Sequence, residues 1–302
     1  MRALLLFLAR QESFKNFALN FRFFRNTALR FVAGDTLNDA IRAVRQANQR
    51  RMIATLDLLG ENTSTEEDAN HACRQVVDAI SEIKREAVEC YFSVKLTQLG
   101  LSLNPDLSLQ NLMQIVKHAR DCGIFVRVDM EESRYTQKTL EIVERVNDSL
   151  GNVGAVIQSY LHRSEQDTAW LIDKRIPVRL VKGAYLEPSD IAFSKKTDTD
   201  ANFISLMKML LTSQTYHAIA THDESIISAT KDFALSQRIP KDHFEFQMLY
   251  GIRRNLQLKL AQEGYKVRIY IPYGERWYAY FMRRLAERPA NVAFIVRNLF
   301  RS

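Results

Sequence analysis

Two adjacent arginines near the end of the chain are well suited to bind an anion. In the segment 277–287, Tyr280, Arg283, Arg284 and Glu287 follow one another at i, i+3, i+4 and i+7, so a helix would place them on one face. Paired guanidinium groups favour a bidentate grip on a carboxylate or a phosphate. The alternative is a solvated basic face, because charged clusters usually lie on the surface.

The opposite face of the same helix is apolar. It carries Trp277, Phe281 and Leu285, and a turn containing Pro272 and Gly274 precedes it. A helix that packs through this apolar stripe would hold the two arginines in a fixed position.

A third arginine, Arg179, lies within the apolar run Val178–Val181. An arginine in a buried strand is costly unless it pairs with an anionic or electron-rich group, so Arg179 suggests a bound group at this strand. Gly183, just after the run, would let a ligand approach the backbone closely. The alternative is a structural ion pair between Arg179 and a carboxylate such as Asp129.

Short apolar, β-branched or aromatic runs alternate with helical segments over most of the chain. The runs predict eight strands, at Met52–Leu58, Tyr91–Leu96, Ile124–Val128, Gly154–Ile157, Val178–Val181, His217–Ala220, Phe244–Met248 and Val267–Ile271. Each strand is followed by a predicted helix. Eight βα units over about 250 residues are typical of a closed parallel barrel, whereas a doubly wound sheet usually has fewer strands.

Polar side chains recur where these runs end, which is where a βα barrel builds its site. They are Asp57, Lys95–Thr97, Asp129–Glu131, Gln158–Tyr160, Lys182–Tyr185, Thr221–Asp223, Gln247 and Tyr270. Each one alone could be a turn residue or a helix cap, but their recurrence on eight strands indicates a functional site at one end of the barrel.

Composition and motifs exclude several classes of protein. The sequence has no GxGxxG or GxxxxGK[ST] motif, which argues against a Rossmann or Walker nucleotide site, and no HExxH motif or cysteine cluster that would indicate zinc. Its three cysteines form no CxxC pair, so no disulfide framework is indicated and a reducing compartment is expected. The apolar run Leu4–Ala9 is too short to span a bilayer. These features predict a cytoplasmic protein.

The net charge of +7 is concentrated near the start of the chain. Residues 1–30 contain six basic residues and a single acidic one, Glu12, among phenylalanines at helical spacing. We expect residues 1–50 to form a helical segment that packs on a barrel domain at 51–302. A basic helix that lies on the inner face of a membrane is the alternative for the first thirty residues.

Several of these segments together resemble one family. Arg179–Tyr185, Ala220–His222, Phe244–Gly251 and Tyr280–Glu287, with Tyr270 before the last, are similar to bacterial monofunctional proline dehydrogenases over nearly the whole chain and in the same order. The resemblance implies an α/β fold, a distorted (β/α)8 TIM-type barrel with extra N-terminal helices, and FAD as cofactor. It further implies oxidation of L-proline to Δ1-pyrroline-5-carboxylate, the first step of proline degradation to glutamate, with electrons passed to a membrane quinone.

The resemblance also implies roles for individual residues. Arg283, Arg284 and Lys95 would bind the substrate carboxylate, and Asp129 would couple Lys95 to Tyr270. Arg179 would lie against the flavin and stabilise its reduced form. The remaining cofactor contacts would be Met130, Gln158, Lys182, Gly183, Ala184, Thr221 and His222, with Glu287 steadying an arginine. The substrate pocket would be shaped by Tyr270, Tyr280, Leu249 and Tyr185.

Two other interpretations fit part of the sequence. A lysine Schiff-base aldolase on the same barrel would use Lys95 or Lys182 as its nucleophile. A basic membrane- or nucleic-acid-binding module would account for the N-terminal charge but not for polar residues at eight strand ends. We therefore expect an enzyme that does not bind nucleic acid.

Overall fold

The structure, a computed structural model, describes residues 29–60, 63–278 and 280–282. Eight parallel strands pair in sequence order, and the last pairs with the first to close a barrel. The strands are β1 (Ile53–Leu58), β2 (Cys90–Val94), β3 (Val126–Val128), β4 (Val153–Gln158), β5 (Val178–Val181), β6 (His217–Ala220), β7 (Phe244–Leu249) and β8 (Lys266–Tyr273). The predicted TIM-type (β/α)8 barrel is thereby confirmed.

Helices connect the strands on the outside of the barrel. In the described part of the chain they are α1 (Leu37–Asn48), α2 (Glu66–Arg85), α3 (Pro105–Cys122), α4 (Ser133–Leu150), α5 (Ser164–Asp173), α6 (Lys196–Thr212), α7 (Glu224–Ser236) and α8 (Arg254–Gln262). Among the described residues, α1 is the helix that precedes the first strand. It packs on β1 and β8 and buries Ile41 and Val44.

In β3, β5 and most of β7, apolar and polar side chains alternate, because successive residues point to opposite faces of the sheet. In β5, Val178 and Leu180 are fully buried in the apolar core, whereas Arg179 between them reaches Asp129 and Ser93 across the barrel. The barrel interior is therefore lined with charged and polar groups, while the apolar residues pack between sheet and helices.

The segment that leads into α1 runs along the C-terminal end of β8. The amide of Ala33 donates to the carbonyl of Pro272, and the amide of Gly274 donates to the carbonyl of Gly34, both at 2.9 Å. Gly251 has φ +75°, and a Cβ there would lie 1.6 Å from the carbonyl oxygen of Arg30. Glycine is therefore required where the chain crosses the loop after β7. Residues 1–28 lie outside the described residues, so the domain division at residue 50 stays a prediction.

Candidate active site

A cavity of ≈ 670 Å³ lies at the C-terminal ends of the strands. Every predicted site residue in the described part of the chain lines it. They are Lys95, Asp129, Met130, Gln158, Arg179, Lys182, Gly183, Ala184, Tyr185, Thr221, His222, Leu249, Tyr270 and Tyr280. The barrel thus brings these side chains to one place, as the strand-end pattern predicts, and their individual roles stay predictions.

Asp129 lies at the centre of the charged part of this cavity. Its Oδ1 accepts a hydrogen bond of 2.6 Å from Arg179 Nη1, and its Oδ2 accepts one of 2.7 Å from Tyr270 Oη. Arg179 also donates to Ser93 Oγ at 3.0 Å and lies 5.2 Å from the centre of the Tyr270 ring. The ion pair between Arg179 and Asp129, one of the two alternatives left open by the sequence, is present.

Burial and neighbouring charge keep Tyr270 protonated. Burial, followed by the charge of Asp129, raises the pKa of Tyr270 well above its usual value. The phenol therefore acts as a hydrogen-bond donor to Asp129, so each oxygen of this carboxylate accepts a hydrogen bond, one from Arg179 and one from Tyr270.

Lys95 lies between two carboxylates. Its Nζ is 2.6 Å from Asp57 Oδ1 and 3.7 Å from Asp129 Oδ2. Burial alone would lower the pKa of Lys95, but Asp57 and then Asp129 reverse this effect, so the pKa of Lys95 is raised above its usual value. The sequence indicates Asp57 only as one of the polar residues found at the eight strand ends and assigns no role to it.

A second ionic cluster forms part of the cavity wall near α7. Lys182 Nζ lies 2.6 Å from Asp200 Oδ1 and 2.9 Å from Asp223 Oδ2. Asp223 is the N-cap of α7, and a hydrogen bond from Ser225, together with Lys182, holds its pKa well below the usual value. The lysine that ends β5 is therefore fixed to the start of two helices.

His222 and Thr221 both have protein hydrogen bonds. The amide of Leu249 donates to His222 Nε2 at 2.9 Å, so this ring nitrogen is an acceptor. The amide of Asp223 donates to Thr221 Oγ1 at 3.1 Å. His222 thus has a local hydrogen-bond partner in the protein, and both side chains still line the cavity.

Gly183 is required for a reason that the sequence did not reveal. Its φ is +114°, and a Cβ at this position would lie 2.2 Å from Cδ1 of the Tyr160 ring. The group that approaches Gly183 closely is therefore the ring of Tyr160, a side chain of the protein itself. Gly183 also forms part of the cavity wall.

Glu131 links three strand ends beneath the rim of the cavity. It accepts hydrogen bonds from Thr97 Oγ1 at 2.6 Å and from the Thr97 amide at 3.1 Å, and its carbonyl accepts from Gln158 Nε2 at 2.9 Å. Burial raises the pKa of Glu131 despite the hydrogen bonds from Thr97. This residue joins the ends of β2, β3 and β4, which fixes the backbone on both sides of Lys95 and Asp129.

A second buried ion pair lies deeper in the barrel. Arg268 Nε and Nη2 donate to the two carboxylate oxygens of Glu245 at 2.7 and 3.0 Å, and the guanidinium stacks 3.6 Å from the centre of the Tyr91 ring. Gln247, which lines the cavity, donates to Glu245 Oε1 at 2.5 Å. Sequence reasoning missed this pair, although both residues interrupt apolar runs in the same way as Arg179.

The arginine-bearing helix is described only at its start. Residues 277, 278 and 280–282 are helical, and Trp277 and Phe281 are buried with ring centres 6.0 Å apart. Arg283, Arg284 and Glu287 lie outside the described residues. Among the described residues, no group of three or more His, Cys, Asp or Glu side chains could hold a metal ion, and no helix is long and apolar enough to cross a membrane.

A closed βα barrel with a charged cavity at the C-terminal strand ends has the architecture of a barrel enzyme. The sequence profile of the proline dehydrogenase family matches residues 40–297. The chain therefore belongs to the proline dehydrogenase family, and the predicted family membership is confirmed.

Individual relatives agree with this assignment. Proline dehydrogenase 1 of Bacillus subtilis subsp. natto is 42% identical over 301 residues, which cover 100% of this chain and 99% of that protein. Proline dehydrogenase of Deinococcus radiodurans is 43% identical and is covered to 91%, as is this chain.

Similarity to solved structures supports the same fold. The crystal structure of proline utilization A (PutA) from Bdellovibrio bacteriovorus, inactivated by N-propargylglycine, superposes with a TM-score of 0.83 at 27% identity. The superposed region covers 87% of this chain and 33% of the PutA chain, so this chain corresponds to about a third of that protein.

Proposed function

We propose that this chain oxidises L-proline to Δ1-pyrroline-5-carboxylate, the first step in degrading proline to glutamate, with FAD as its cofactor. The observation that carries the proposal is the largely buried cluster of Lys95, Asp129, Arg179 and Tyr270 at the mouth of a proline dehydrogenase barrel. Relatives that match this chain over nearly its full length are named proline dehydrogenase. We also propose that residues 51–302 form one domain, which holds the whole site.

The cavity has features that suit a flavin. Its volume lies within the range of about 300–1,000 Å³ expected for small-molecule and cofactor sites. Arg179 Nε is buried and has no hydrogen-bond partner among the described residues, so a cationic donor remains for an electron-rich ring. When bound, FAD would supply the acceptor for the hydride that leaves the carbon next to the ring nitrogen of proline.

The protein residues would divide into two groups. Met130, Gln158, Arg179, Lys182, Gly183, Ala184, Thr221 and His222 would hold the cofactor, with Glu287 steadying an arginine. Leu249, Tyr185, Tyr270 and Tyr280 would surround the substrate ring, and Lys95, Arg283 and Arg284 would bind its carboxylate. Asp129 would hold the side chains of Lys95, Arg179 and Tyr270 in fixed positions relative to one another.

Positioning is the main contribution of these groups to the reaction. The substrate amine must be neutral when the hydride leaves. Cationic side chains suit this requirement, because they can hold the substrate by its carboxylate without contacting the nitrogen. Correct orientation of reacting atoms can lower a barrier by at most about 7–11 kcal/mol. The ion pair between Arg179 and Asp129 contributes by restricting the movement of both side chains in the cavity.

The aldolase alternative is disfavoured by the lysines themselves. A Schiff-base lysine needs a depressed pKa so that its amine is a nucleophile at neutral pH. The pKa of Lys95 is instead raised by Asp57 and Asp129, against the effect of burial, and Lys182 is held between Asp200 and Asp223.

The visible spectrum of the purified protein tests the proposal. We expect flavin absorbance bands that bleach when L-proline is added without oxygen and return when an electron acceptor is added. A colourless protein that borohydride traps covalently with a carbonyl substrate would instead support the aldolase.

Electrons would pass to a membrane quinone, and the N-terminal segment would bring the protein to the membrane. Residues 1–30 carry a local charge of +5, from six basic residues and Glu12, among phenylalanines at helical spacing. Co-sedimentation should show binding to anionic vesicles at low salt and release at high salt. Equal binding to neutral and anionic vesicles, or none to either, would contradict this part of the proposal.

A further inference from the structure

Asp57 is the carboxylate that contacts Lys95 at hydrogen-bond distance. Its Oδ1 accepts from Lys95 Nζ at 2.6 Å, and its side chain is only 2% exposed. The contact crosses between neighbouring strands, since Asp57 pairs in register with Ser93, two residues before Lys95. Both side chains therefore point into the barrel, and both line the cavity.

Asp129, the second carboxylate near Lys95, is already held by other donors. Its two oxygens accept from Arg179 at 2.6 Å and from Tyr270 at 2.7 Å, whereas Lys95 Nζ lies 3.7 Å away. A separation of 3.7 Å is too long for a good charge-assisted hydrogen bond. The direction in which Lys95 points is therefore set mainly by Asp57.

The charged groups that face Lys95 come from several elements. Asp57 on β1 and Asp129 after β3 both favour the ammonium form, as does Tyr185 from the loop after β5, while burial opposes it. Lys95 in turn acts on Glu131, the buried carboxylate after Asp129. Asp57 makes the largest of the favourable contributions, through both charge and hydrogen bond.

We propose that Asp57 is a positioning residue for the substrate, which holds the half-buried Lys95 ammonium protonated and directed at the substrate carboxylate. This inference rests on the proposed function, because it takes Lys95 as a carboxylate ligand. An ammonium has three donors, so one can bind Asp57 while the others remain for the substrate.

The variants Asp57→Asn and Asp57→Ala separate the charge of Asp57 from its hydrogen bond. Asparagine keeps an oxygen that can accept from Lys95 but removes the negative charge, whereas alanine removes both. The probe is cyclopentanecarboxylate, which has the ring size and carboxylate of proline but no amine to titrate or oxidise. Its inhibition constant against proline oxidation is measured in a series from about pH 7 to about pH 11, with Lys95 expected to titrate above its usual range in wild type.

The two variants should differ in their pH dependence. In wild type, Lys95 should stay protonated, so its titration should not change the inhibition constant over this range. Because burial opposes the ammonium form, removal of the Asp57 charge should bring the alkaline loss of binding in Asp57→Asn to lower pH than in wild type, within the measured range. Above that point, binding should weaken about tenfold for each pH unit. Asp57→Ala should bind more weakly at every pH, because the tether is also lost.

Two further measurements separate a positioning role from a structural one. The double variant Asp57→Asn/Lys95→Met should bind the probe as Lys95→Met does, with no alkaline shift of its own. Competitive acetylation, read at the Lys95 peptide by mass spectrometry, should show the lysine reacting at lower pH in Asp57→Asn than in wild type, and it needs no substrate. Glu144→Gln is the matched control. Glu144 Oε1 lies 2.8 Å from Lys174 Nζ, and this ion pair does not line the cavity.

The possible failures are distinguishable. If Lys95→Met binds cyclopentanecarboxylate as tightly as wild type, the proposed role of Lys95 in the reaction is wrong. If Lys95→Met binds weakly but Asp57→Asn keeps the wild-type pH profile and acetylation, the inference about Asp57 is overturned. Should Asp57→Asn not fold, Asp57→Glu keeps the charge and moves the oxygen, and it should retain the flat profile with weaker binding.

Discussion

Arg179 and Asp129 form an ion pair across the barrel, with Nη1 2.6 Å from Oδ1. Arg179 comes from β5 and Asp129 from the end of β3, so the pair joins two strands that are not neighbours in the sheet. Tyr270 on β8 binds the other oxygen of Asp129. One carboxylate therefore connects three parts of the barrel, so a change at Arg179 should also alter how Asp129 and Tyr270 are held.

Replacing Arg179 by Met should lower the reduction potential of the bound flavin. A cation that favours the reduced, anionic ring is lost, which we expect to be worth about 1.5–3 kcal/mol, or roughly 30–65 mV for a two-electron couple. Potentiometric titration measures the shift. Arg163→Met is the control, because Arg163 directly precedes α5 and pairs with Asp167 in that helix. An unchanged potential in Arg179→Met would mean that Arg179 serves only to hold Asp129.

The deeper ion pair should contribute to stability more than any surface pair. Glu245→Gln leaves Arg268 as an unpaired buried charge, and breaking such a pair costs about 3–5 kcal/mol. The exposed pair of Lys138 and Glu141 provides the control, since Glu141→Gln should cost about 0–1 kcal/mol. Urea unfolding compares the two variants. Equal small losses would show that the barrel relaxes around Arg268.

The same pair predicts a response to acid. Burial raises the pKa of Glu245, but Arg268 and the hydrogen bonds outweigh it, and the pKa lies below its usual value. A carboxylate with a lowered pKa in the folded state stabilises the protein above its unfolded pKa of about 4.5, and this contribution is lost as the pH falls through the folded value. Glu245→Gln should therefore lose less stability than wild type below pH 4.5.

His217 should make stability depend on pH in a higher range. The amide of Val178 donates to its Nδ1 at 3.0 Å, and burial, followed by the charge of Arg127, lowers the pKa of His217 to about 3. In the unfolded chain His217 binds a proton near pH 6.5, whereas in the folded chain it stays neutral until the pH is near 3. The free energy of unfolding should therefore decrease by up to about 1.4 kcal/mol for each unit by which the pH is lowered from 6.5 to 3.

The variant His217→Asn should remove that part of the slope. His71→Asn, on the exposed face of α2, is the matched control and should keep it. Chemical unfolding at a series of pH values measures both. If His217→Asn and wild type lose stability in parallel between pH 6.5 and 3, another group carries the dependence.

The sequence predicts most strand positions to within a residue, but it begins two strands too early for one physical reason. Met52 and Ile124 are apolar and were assigned to β1 and β3, yet their amides donate to the carbonyls of Ala47 and Ala119. Both residues therefore still belong to the cap of the preceding helix, where the chain turns through a positive φ. Hydrophobicity cannot separate a residue that caps a helix from one that begins a strand.

The site is predictable in its location but not in its pairings. Strand-end polarity identified Lys95, Asp129 and Tyr270, because barrel topology brings all strand ends together. That Asp57 is nearer than Asp129 to Lys95 depends on register and side-chain length, which a sequence pattern does not contain. Glu245 and Arg268 could have been found by applying to β7 and β8 the argument that was applied to Arg179.

Arg283 and Arg284 are predicted to recognise the substrate carboxylate, although they lie outside the described residues. Arg284→Met should reduce kcat/KM for proline by about ten- to a hundredfold, equivalent to about 1.5–3 kcal/mol for one arm of a charge-assisted contact. Arg283→Lys should be almost as damaging as Arg283→Met, since an ammonium keeps the charge but not the planar fork. Flavin content should stay unchanged in each variant.

The decisive comparison is between proline and pyrrolidine, which lacks the carboxylate. If Arg284 binds the carboxylate, Arg284→Met should weaken the reaction with proline and leave that with pyrrolidine close to the wild-type rate. Lys95→Met should show the same selectivity, because Lys95 lies in the cavity beside Asp57 and Asp129 and would hold the same group. A loss that is equal for both compounds would show that the arginines act on the shape of the pocket and do not bind the carboxylate.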